Sequence, residues 1–476
     1  MKIQKKTKIV ATIGPSTSSE EKLAALLKAG LDVARLNFSH GDFAEHQIKV
    51  DNLHSAIAKT GIQCAILQDL AGPKIRIGDF KVGSIVLKEG QEFTLTTNEA
   101  EGDETRVSVN YPKFAQEVSK GHTVFLHDGR LQLEVIDVKG NDVVCKVIVG
   151  GEIKGRRGVN LPHSELSIAS MTEKDHSDIE FGIKNQVDFF ALSFVRRPSD
   201  VEELRNVLNA RKCRAKIIVK IETPQALANI DEILKLTDGV MVARGDLAIE
   251  IPAENVPIAQ KMIISKCNDL GKPVITATQM LESMIDSPVP TRAEVSDIAN
   301  AIFDGTDAIM LSEETALGQF PVESVKMMAR VALKVESDHL YTKTEKAKRH
   351  MKGLALGVVD AVTSEAVDVA DRTGAKCIVA LTHSGFTAAM VARYKPAQPL
   401  IAFTPDEIIA RQLLLSYGCI PTINKNSLTF NDAMEEVRKF VLENKVAKKG
   451  DKVVVVAGAP FNTHGVETNL MLVETV

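Results

Sequence analysis

Eight apolar runs of strand length recur along the chain, each followed by a polar segment with helical periodicity. They are TKIVATIG from Thr7, VARLNFSH from Val33, QCAILQD from Gln63, DFFALSFV from Asp188, AKIIVKIE from Ala215, GVMVARGD from Gly239, PVITATQM from Pro273 and AIMLSEE from Ala308. Strands that alternate with helices imply right-handed crossovers and a parallel sheet. Eight such units predict an α/β protein built on a closed (β/α)8 TIM barrel.

The alternation breaks once, between Asp69 and Thr172. There GSIVLKEG, HTVFLHDGR and DVVCKVIVGG are punctuated by glycine, with no long amphipathic helix between them. That interval reads as an inserted small β-barrel serving as a lid. A charged segment, TKTEKAKRHMKG, follows the eighth unit and marks a boundary. A new alternation then begins with a helix over 354–372, followed by the strands KCIVALTH, PLIAF, CIPTI and KVVVVAG with helices between them. This predicts a smaller, open C-terminal α/β domain. The expected division is a barrel domain from residues 1–72 and 169–342, a lid from 73–168 and a C-terminal domain from 343–476.

Side chains alternate along a strand, so Lys220 and Glu222 at the end of AKIIVKIE point the same way, into whatever that strand faces. A (β/α)8 barrel carries its chemistry at the C-terminal ends of its strands, and the other runs agree. Arg35, Asn37, Ser39 and His40 end the second, Asp69 the third, Arg244 and Asp246 the sixth, Thr278 the seventh, and Ser312 to Glu314 the eighth. One charged strand end is equally well explained by a structural ion pair. Polar ends on most of eight strands are not.

Glu222 and Asp246, expected on neighbouring strands, offer hard oxygen ligands with positions left open, which suits Mg2+ or Mn2+ bound jointly with a substrate. Without a histidine cluster, zinc is disfavoured. Arg35 and Lys220 add fixed positive charge beside the metal, the arrangement that neutralises a phosphoryl group in transfer. No Walker A sequence, kinase-type glycine loop or GxGxxG fingerprint occurs, so a nucleotide needs another device. The basic stretch GGEIKGRRGVN, residues 150–160, is the candidate clamp from the lid, with an ordinary basic turn as the alternative.

Composition narrows the class of partner. The 476 residues suffice for two or three domains. Hydrophobic content of 44%, charged content of 25% and a net charge of -4 describe a globular chain without the basic surplus that nucleic acid demands. Cys64, Cys145, Cys213, Cys267, Cys377 and Cys419 are scattered with no CxxC or Cys/His cluster, as reduced core thiols are. The opening MKIQKKTKIV runs straight into a strand without an apolar stretch or cleavage site, and no segment approaches the roughly 20 apolar residues of a membrane span. A cytoplasmic protein with no membrane partner is expected.

The blocks TKIVATIGPS, VARLNFSHG, GPKIR, KGRRGVNLP, KIETP, VMVARGDLAIEIP, VITATQMLESM and PTRAEVSDIANAIFDGTDAIMLS resemble, in order and over nearly the whole chain, the signature blocks of pyruvate kinases. The resemblance implies Mg2+-dependent transfer of a phosphoryl group from phosphoenolpyruvate to ADP, giving pyruvate and ATP. It implies that Glu222 and Asp246 hold the metal, and that Lys220 and Arg35 contact the group in transit. Gly245, Asp246 and Thr278 fall where the substrate is held, Thr278 helping to protonate the enolate, with the final proton donor left open. Asn37, His40, Arg76 and Arg157 match nucleotide-binding positions. Arg156 is an equal candidate for the last of these, and His40 is alternatively a cap on the helix beginning near Gly41.

Two departures from the family pattern occur together. Many members hold K+ beside the substrate with residues matching Asn37, Ser39 and Asp69 plus a threonine, and carry a glutamate shortly after. Here Leu70 replaces the threonine and Lys74 the glutamate, which implies a built-in ammonium in place of K+. Glu313 likewise stands where a small residue is common. In ALTHSGFTAA, the residues Thr382, Ser384, Gly385 and Thr387 resemble the effector phosphate loop and offer hydroxyls and backbone N–H groups to an anion. Activation by AMP or a sugar phosphate is therefore expected. The later loop GAPFNTHGVETN lacks the arginine of members that bind fructose bisphosphate. A homotetramer is the family expectation. Two rival readings are a metal-dependent lyase on the same barrel and a ligand sensor that keeps the fold without the reaction.

Overall fold

Parity along the strands sets the architecture. The computed structural model describes residues 5–162, 164, 166–351, 357–425, 429–461 and 466–476. All eight apolar runs form parallel strands closed into one barrel: Lys8–Thr12, Val33–Asn37, Ala65–Asp69, Phe189–Leu192, Lys216–Ile221, Gly239–Ala243, Val274–Ala277 and Ala308–Leu311. On the fifth strand Ile218 belongs to the cluster that fills the barrel interior, while Ile217, Val219 and Ile221 belong to the layer between strands and helices. Val33, Leu67 and Phe189 also face the interior. Because positions two apart share a face, Lys220 and Glu222 continue the inward row of Ile218. Arg35 and Asn37 continue that of Val33, and Asp69 that of Leu67. The barrel is thus packed with apolar side chains along its length and gathers its charge at one end.

The insert folds as two sheets around one apolar core rather than as a continuous ring of strands. A six-stranded sheet runs Val159–Asn160, Thr123–Leu126, Leu131–Lys139, Asp142–Val149, Glu92–Thr96 and Arg106–Ser108, and Ser84–Leu87 pairs separately with Gly151–Lys154. The ladder stops there because Gly151–Lys154 leaves the long strand before it and pairs with Ser84–Leu87, turning the hydrogen bonds of that hairpin to a separate edge.

The C-terminal domain is a five-stranded sheet in the order Cys419–Ile423, Leu400–Thr404, Ile378–Leu381, Lys452–Gly458 and Thr468–Thr475. Its last strand is antiparallel and adds to the four expected. The helix expected over 354–372 is Val358–Thr373, preceded by residues 352–356, which lie outside those described, as do residues 462–465 of GAPFNTHGVETN. The charged segment expected as a plain boundary instead forms the helix His339–Met351, whose Tyr341 hydroxyl donates to Tyr417 at 3.1 Å. Among the described residues no helix is long and apolar enough to cross a membrane, and all six cysteines are free.

The C-terminal domain also completes the barrel. Leu414 and Leu415, on the short turn Leu413–Leu415, belong to the barrel-interior cluster. Neighbouring bonds fix their end of it: Tyr417 N–H donates to Asp307 Oδ1 at 3.2 Å and the Lys8 ammonium to the Cys419 carbonyl at 2.7 Å. Asp307 and Lys8 stand where strands begin, so the two leucines seal the N-terminal end. Lys395 and Asp307 pair at 2.8 Å with side chains only 1% and 6% exposed, and Arg411 pairs with Asp188 at 2.8 Å. Burying two leucines stabilises this contact by about 1.5–3 kcal/mol each.

Candidate active site

At the opposite end, four charges from three strands form a continuous chain. Asp69, 1% exposed, receives the Arg35 Nε–H at 2.7 Å and lies 3.4 Å from the Lys220 ammonium. Lys220 also lies 2.9 Å from Glu222 Oε1. Two hydroxyls steer the cations: Thr12 accepts from Arg35 at 2.8 Å, and Ser193 accepts from Lys220 at 2.9 Å while donating to the Leu70 carbonyl at 2.6 Å. The Phe194 amide donates to Glu222 Oε2 at 2.7 Å.

Burial works against the charges of Lys220, Asp69 and Glu222, and the partners of each settle how far. For Lys220, burial lowers the pKa, but Asp69, Glu222 and Asp246 more than offset it and raise it, so the ammonium stays charged. For Asp69, burial raises the pKa, and Lys220 and Arg35 bring it below the ordinary carboxylate value. Glu222 goes the other way. Burial raises its pKa, Lys220 opposes, and the negative charge of Asp246 raises it further. Its buried Oε1 faces the ammonium but has no aligned hydrogen bond. A repelling carboxylate pair with an unsatisfied oxygen is what a cation would relieve, so these residues fit Mg2+. Among the described residues no group of three or more His, Cys, Asp or Glu converges into a cage, which leaves the remaining positions to substrate and water.

Asp246 is not on a strand. It lies in the first turn of the helix Arg244–Glu250, which begins directly after the sixth strand. The strand stops there because the Gly245 amide donates to the Thr278 hydroxyl at 2.8 Å rather than to a neighbouring strand. Thr278 and Gln279 have φ of 72° and 53°, a left-handed conformation that is an outlier for a β-branched residue. The Thr278 hydroxyl in turn donates to the Ala277 carbonyl at 2.6 Å.

A cleft of about 610 Å3 opens between this turn and the lid, with Gly245, Asp246, Thr278 and Glu313 below and Phe125, Asp128 and Arg130 above. That volume suits a small-molecule site. Lid and barrel also meet where Asn160 donates to Glu250 at 2.8 Å.

The remaining expected residues are more dispersed. Arg76 is half-buried at the lid base and donates to the Arg156 carbonyl at 2.9 Å. Arg156 is engaged by Asp79, with contacts of 2.9 to 3.1 Å. Arg157 has no carboxylate partner among the described residues and lies close enough to His127 to help lower its pKa, after burial. Ser39 and His40 are exposed, and Asn37 accepts from the Ser39 amide at 3.1 Å. His40 is not a helix cap: Asp42 caps the helix Phe43–Thr60, and the His40 carbonyl instead meets His46 Nε2 at 2.9 Å. Lys74 does not pair with Asp69. Its partner is Asp128 of the lid, at 3.9 Å.

In the C-terminal domain, Thr382 accepts from the Gly385 amide at 3.0 Å and Ser384 from the Phe386 amide at 3.4 Å. Gly385, with φ of 85°, introduces the helix Phe386–Ala392, and Thr387 meets Thr468 at 2.8 Å. This loop is separate from the barrel cleft.

The family profile described as pyruvate kinase, barrel domain, matches residues 4–325, and that described as pyruvate kinase, alpha/beta domain, matches 360–474. The chain belongs to the pyruvate kinase family. A pyruvate kinase of Clostridium perfringens is 45% identical over 476 residues, covering 99% of this chain and all of that relative. One of Geobacillus stearothermophilus is 46% identical, covering this chain fully and 81% of the relative. The crystal structure of a pyruvate kinase from Cryptosporidium parvum matches with a TM-score of 0.93 at 38% identity, over 99% of this chain and 96% of that one. The chain is accordingly a phosphotransferase of pyruvate kinase function, with phosphoenolpyruvate and ADP as substrates.

For a pyruvate kinase, the residues missed from sequence are Thr12 and Ser193. Ser193 sits two positions beyond Ala191, an inward-facing residue of the fourth strand, so the same parity marks it. A hydrogen bond to a charged group contributes about 1.5–3 kcal/mol. Ser193→Ala is therefore expected to lower kcat by about ten- to a hundredfold, with KM for phosphoenolpyruvate changing less. Steady-state kinetics with unchanged kcat would remove Ser193 from the site.

Proposed function

We propose that Lys220 and Arg35 hold the phosphoryl group in flight, that Glu222 and Asp246 hold Mg2+ or Mn2+, and that Gly245, Asp246 and Thr278 position the enolate of pyruvate. The observation that carries this reading is the buried chain Arg35–Asp69–Lys220–Glu222 beside Asp246 at one barrel end. When bound, the metal ion supplies a Lewis acid for the substrate oxygens. Lys220 and Arg35 are pre-placed donors, so their charge meets the moving phosphoryl group without reorganisation. The Thr278 hydroxyl stands within reach of the substrate side of the cleft and hands a proton to the enolate carbon.

Asn37, His40, Arg76 and Arg157 receive the nucleotide. Arg157 is preferred to Arg156 because the Arg156 guanidinium is already committed to Asp79. Lid closure over the cleft excludes water, which otherwise competes with ADP for the phosphoryl group.

Lys74 supplies the monovalent charge at the substrate, beside Asn37, Ser39 and Asp69, with Leu70 in place of a ligating threonine. Its pairing with Asp128 is long, and its side chain is 34% exposed. Such pairs contribute about 0–1 kcal/mol, so the flexible stem leaves that partner at little cost. The exposed Ser384 and the loop Thr382, Gly385 and Thr387 form the site for a phosphorylated effector, AMP or a sugar phosphate. The enzyme works in the cytoplasm as a homotetramer.

A coupled assay of ADP-dependent pyruvate formation tests the core of this. Lys220→Met should lose most of kcat while KM changes less, and Asp246→Asn should move the Mg2+ titration to higher concentration. An unshifted titration would refute the metal assignment, and a retained kcat that of Lys220.

Near-full activity is expected with Mg2+ in tetramethylammonium buffer without K+. Lys74→Glu combined with Leu70→Thr should create a K+ requirement. Stimulation of the unmodified enzyme by K+ of about tenfold, equivalent to roughly 1.4 kcal/mol of barrier, would exclude the built-in cation.

For regulation, Ser384→Ala with Thr387→Ala should abolish activation by AMP and sugar phosphates while leaving basal turnover intact. Activation that persists in the double variant puts the effector elsewhere.

A further inference from the structure

Arg244 opens the helix that carries Gly245 and Asp246, yet its side chain turns away from the cleft and is 13% exposed. Its guanidinium donates from Nε to the Ala277 carbonyl at 3.1 Å and from Nη2 to the Thr278 carbonyl at 2.6 Å. On its far side it pairs with Asp297 through two contacts of 2.8 Å and approaches Gln260 at 3.4 Å. One planar fork, pinned from behind, thus holds two successive carbonyls on either side of the left-handed Thr278. We infer that Arg244 is a positioning residue that frees the Thr278 hydroxyl for proton transfer. The inference rests on the proposed role of Thr278 toward the enolate.

The Ala277 carbonyl is the link. Its oxygen accepts both the Thr278 hydroxyl, at 2.6 Å, and Arg244 Nε–H, at 3.1 Å, and Ala277 is fully buried. A carbonyl oxygen has two lone pairs, so each donor takes one. With the hydroxyl pointed at that carbonyl, its proton is turned away from a substrate. To serve the enolate the hydroxyl must rotate, and a buried carbonyl left without a donor would oppose the rotation. Arg244 removes that opposition by keeping a charged donor on the same oxygen. The Gly245 amide meanwhile holds the Thr278 oxygen in place at 2.8 Å through the turn of its hydrogen. In the step itself the Thr278 O–H bond breaks and the enolate electron pair forms the new C–H bond of the pyruvate methyl group. The Gly245 N–H supports the oxygen until it recovers a proton from water. Lysine cannot replace Arg244 here, because a single ammonium cannot span both carbonyls and Asp297.

The test isolates the proton step by running it backwards. The Mg2+-loaded enzyme is incubated with pyruvate in D2O, and deuterium entering the methyl group is followed by NMR. Thr278→Ala is expected to slow exchange by about thirtyfold or more and Arg244→Lys by about tenfold, the latter with KM for phosphoenolpyruvate within about twofold of the unmodified enzyme. The double variant should be no slower than Thr278→Ala alone, since residues that act through one another are not additive. A further tenfold loss in the double variant would overturn the inference, because Arg244 would then act independently of the hydroxyl. If Thr278→Ala alone exchanges normally, the assignment of Thr278 falls and the role of Arg244 falls with it, a result the single variant identifies. Circular dichroism reports whether Arg244→Lys folds. Should it not, Asp297→Asn takes its place: exchange must fall when the hydroxyl is present and stay level when it is absent, and any other pattern overturns the inference.

Discussion

Asp69 allows two cations to stand side by side at the end of an apolar barrel. Arg35 and Lys220 both contact it, and without that counter-ion two buried cations would repel each other and carry the full cost of desolvation. Removing one member of a buried pair leaves an uncompensated charge, which costs far more than the pair contributes. Two cations and the carboxylates of Asp69, Glu222 and Asp246 leave one net negative charge in the group. A divalent ion reverses that sign and so favours an anionic, phosphorylated substrate. The protein alone is therefore electrostatically unfinished at this end. Its low dielectric makes the missing charges strongly attractive.

The placement of that group follows from a rule as simple as strand alternation, which is why so much of it was legible in the sequence. The pair Lys220 and Glu222 could be put on one face of a strand without knowing what lay opposite, and Arg35, Asn37 and Asp69 fell to the same argument. Asp246 did not. It stands at the polar end of the sixth run and reads as part of that strand, whereas the long-range bond from Gly245 to Thr278 ends the strand and the helix Arg244–Glu250 carries it. The last strand, Thr468–Thr475, was missed for a related reason. It pairs antiparallel at a sheet edge, and its apolar run, residues 470–473, is short and part of no strand–helix alternation. Ser193 was visible to the parity rule, but a lone serine carries no charge to draw attention to it. Lys74 was read for its chemistry, and its pairing with Asp128 depends on where the lid sits.

The lid shows how two adjacent arginines acquire different roles. Arg156 adopts φ of 61°, which swings its side chain back to Asp79 and ties down the turn. Arg157, one residue on, lies near His127 and has no carboxylate partner among the described residues. Sequence offered no ground for choosing between them, since a basic dipeptide in a turn reads the same in either order. The distinction is conformational. One arginine stabilises the loop so that the other is presented on it.

The leucines that seal the barrel floor have a consequence for how the chain is made. The eighth barrel strand ends at Leu311, but Leu414 and Leu415 follow roughly 100 residues later. At about 5–20 residues per second, a ribosome needs on the order of 5–20 s to cover that distance. During that interval a nascent barrel can close its hydrogen-bonded ring but not its core, and the lower ends of its strands stay wetted. Newly made chains are most exposed to aggregation in this window, and the floor is finished only when the last domain emerges.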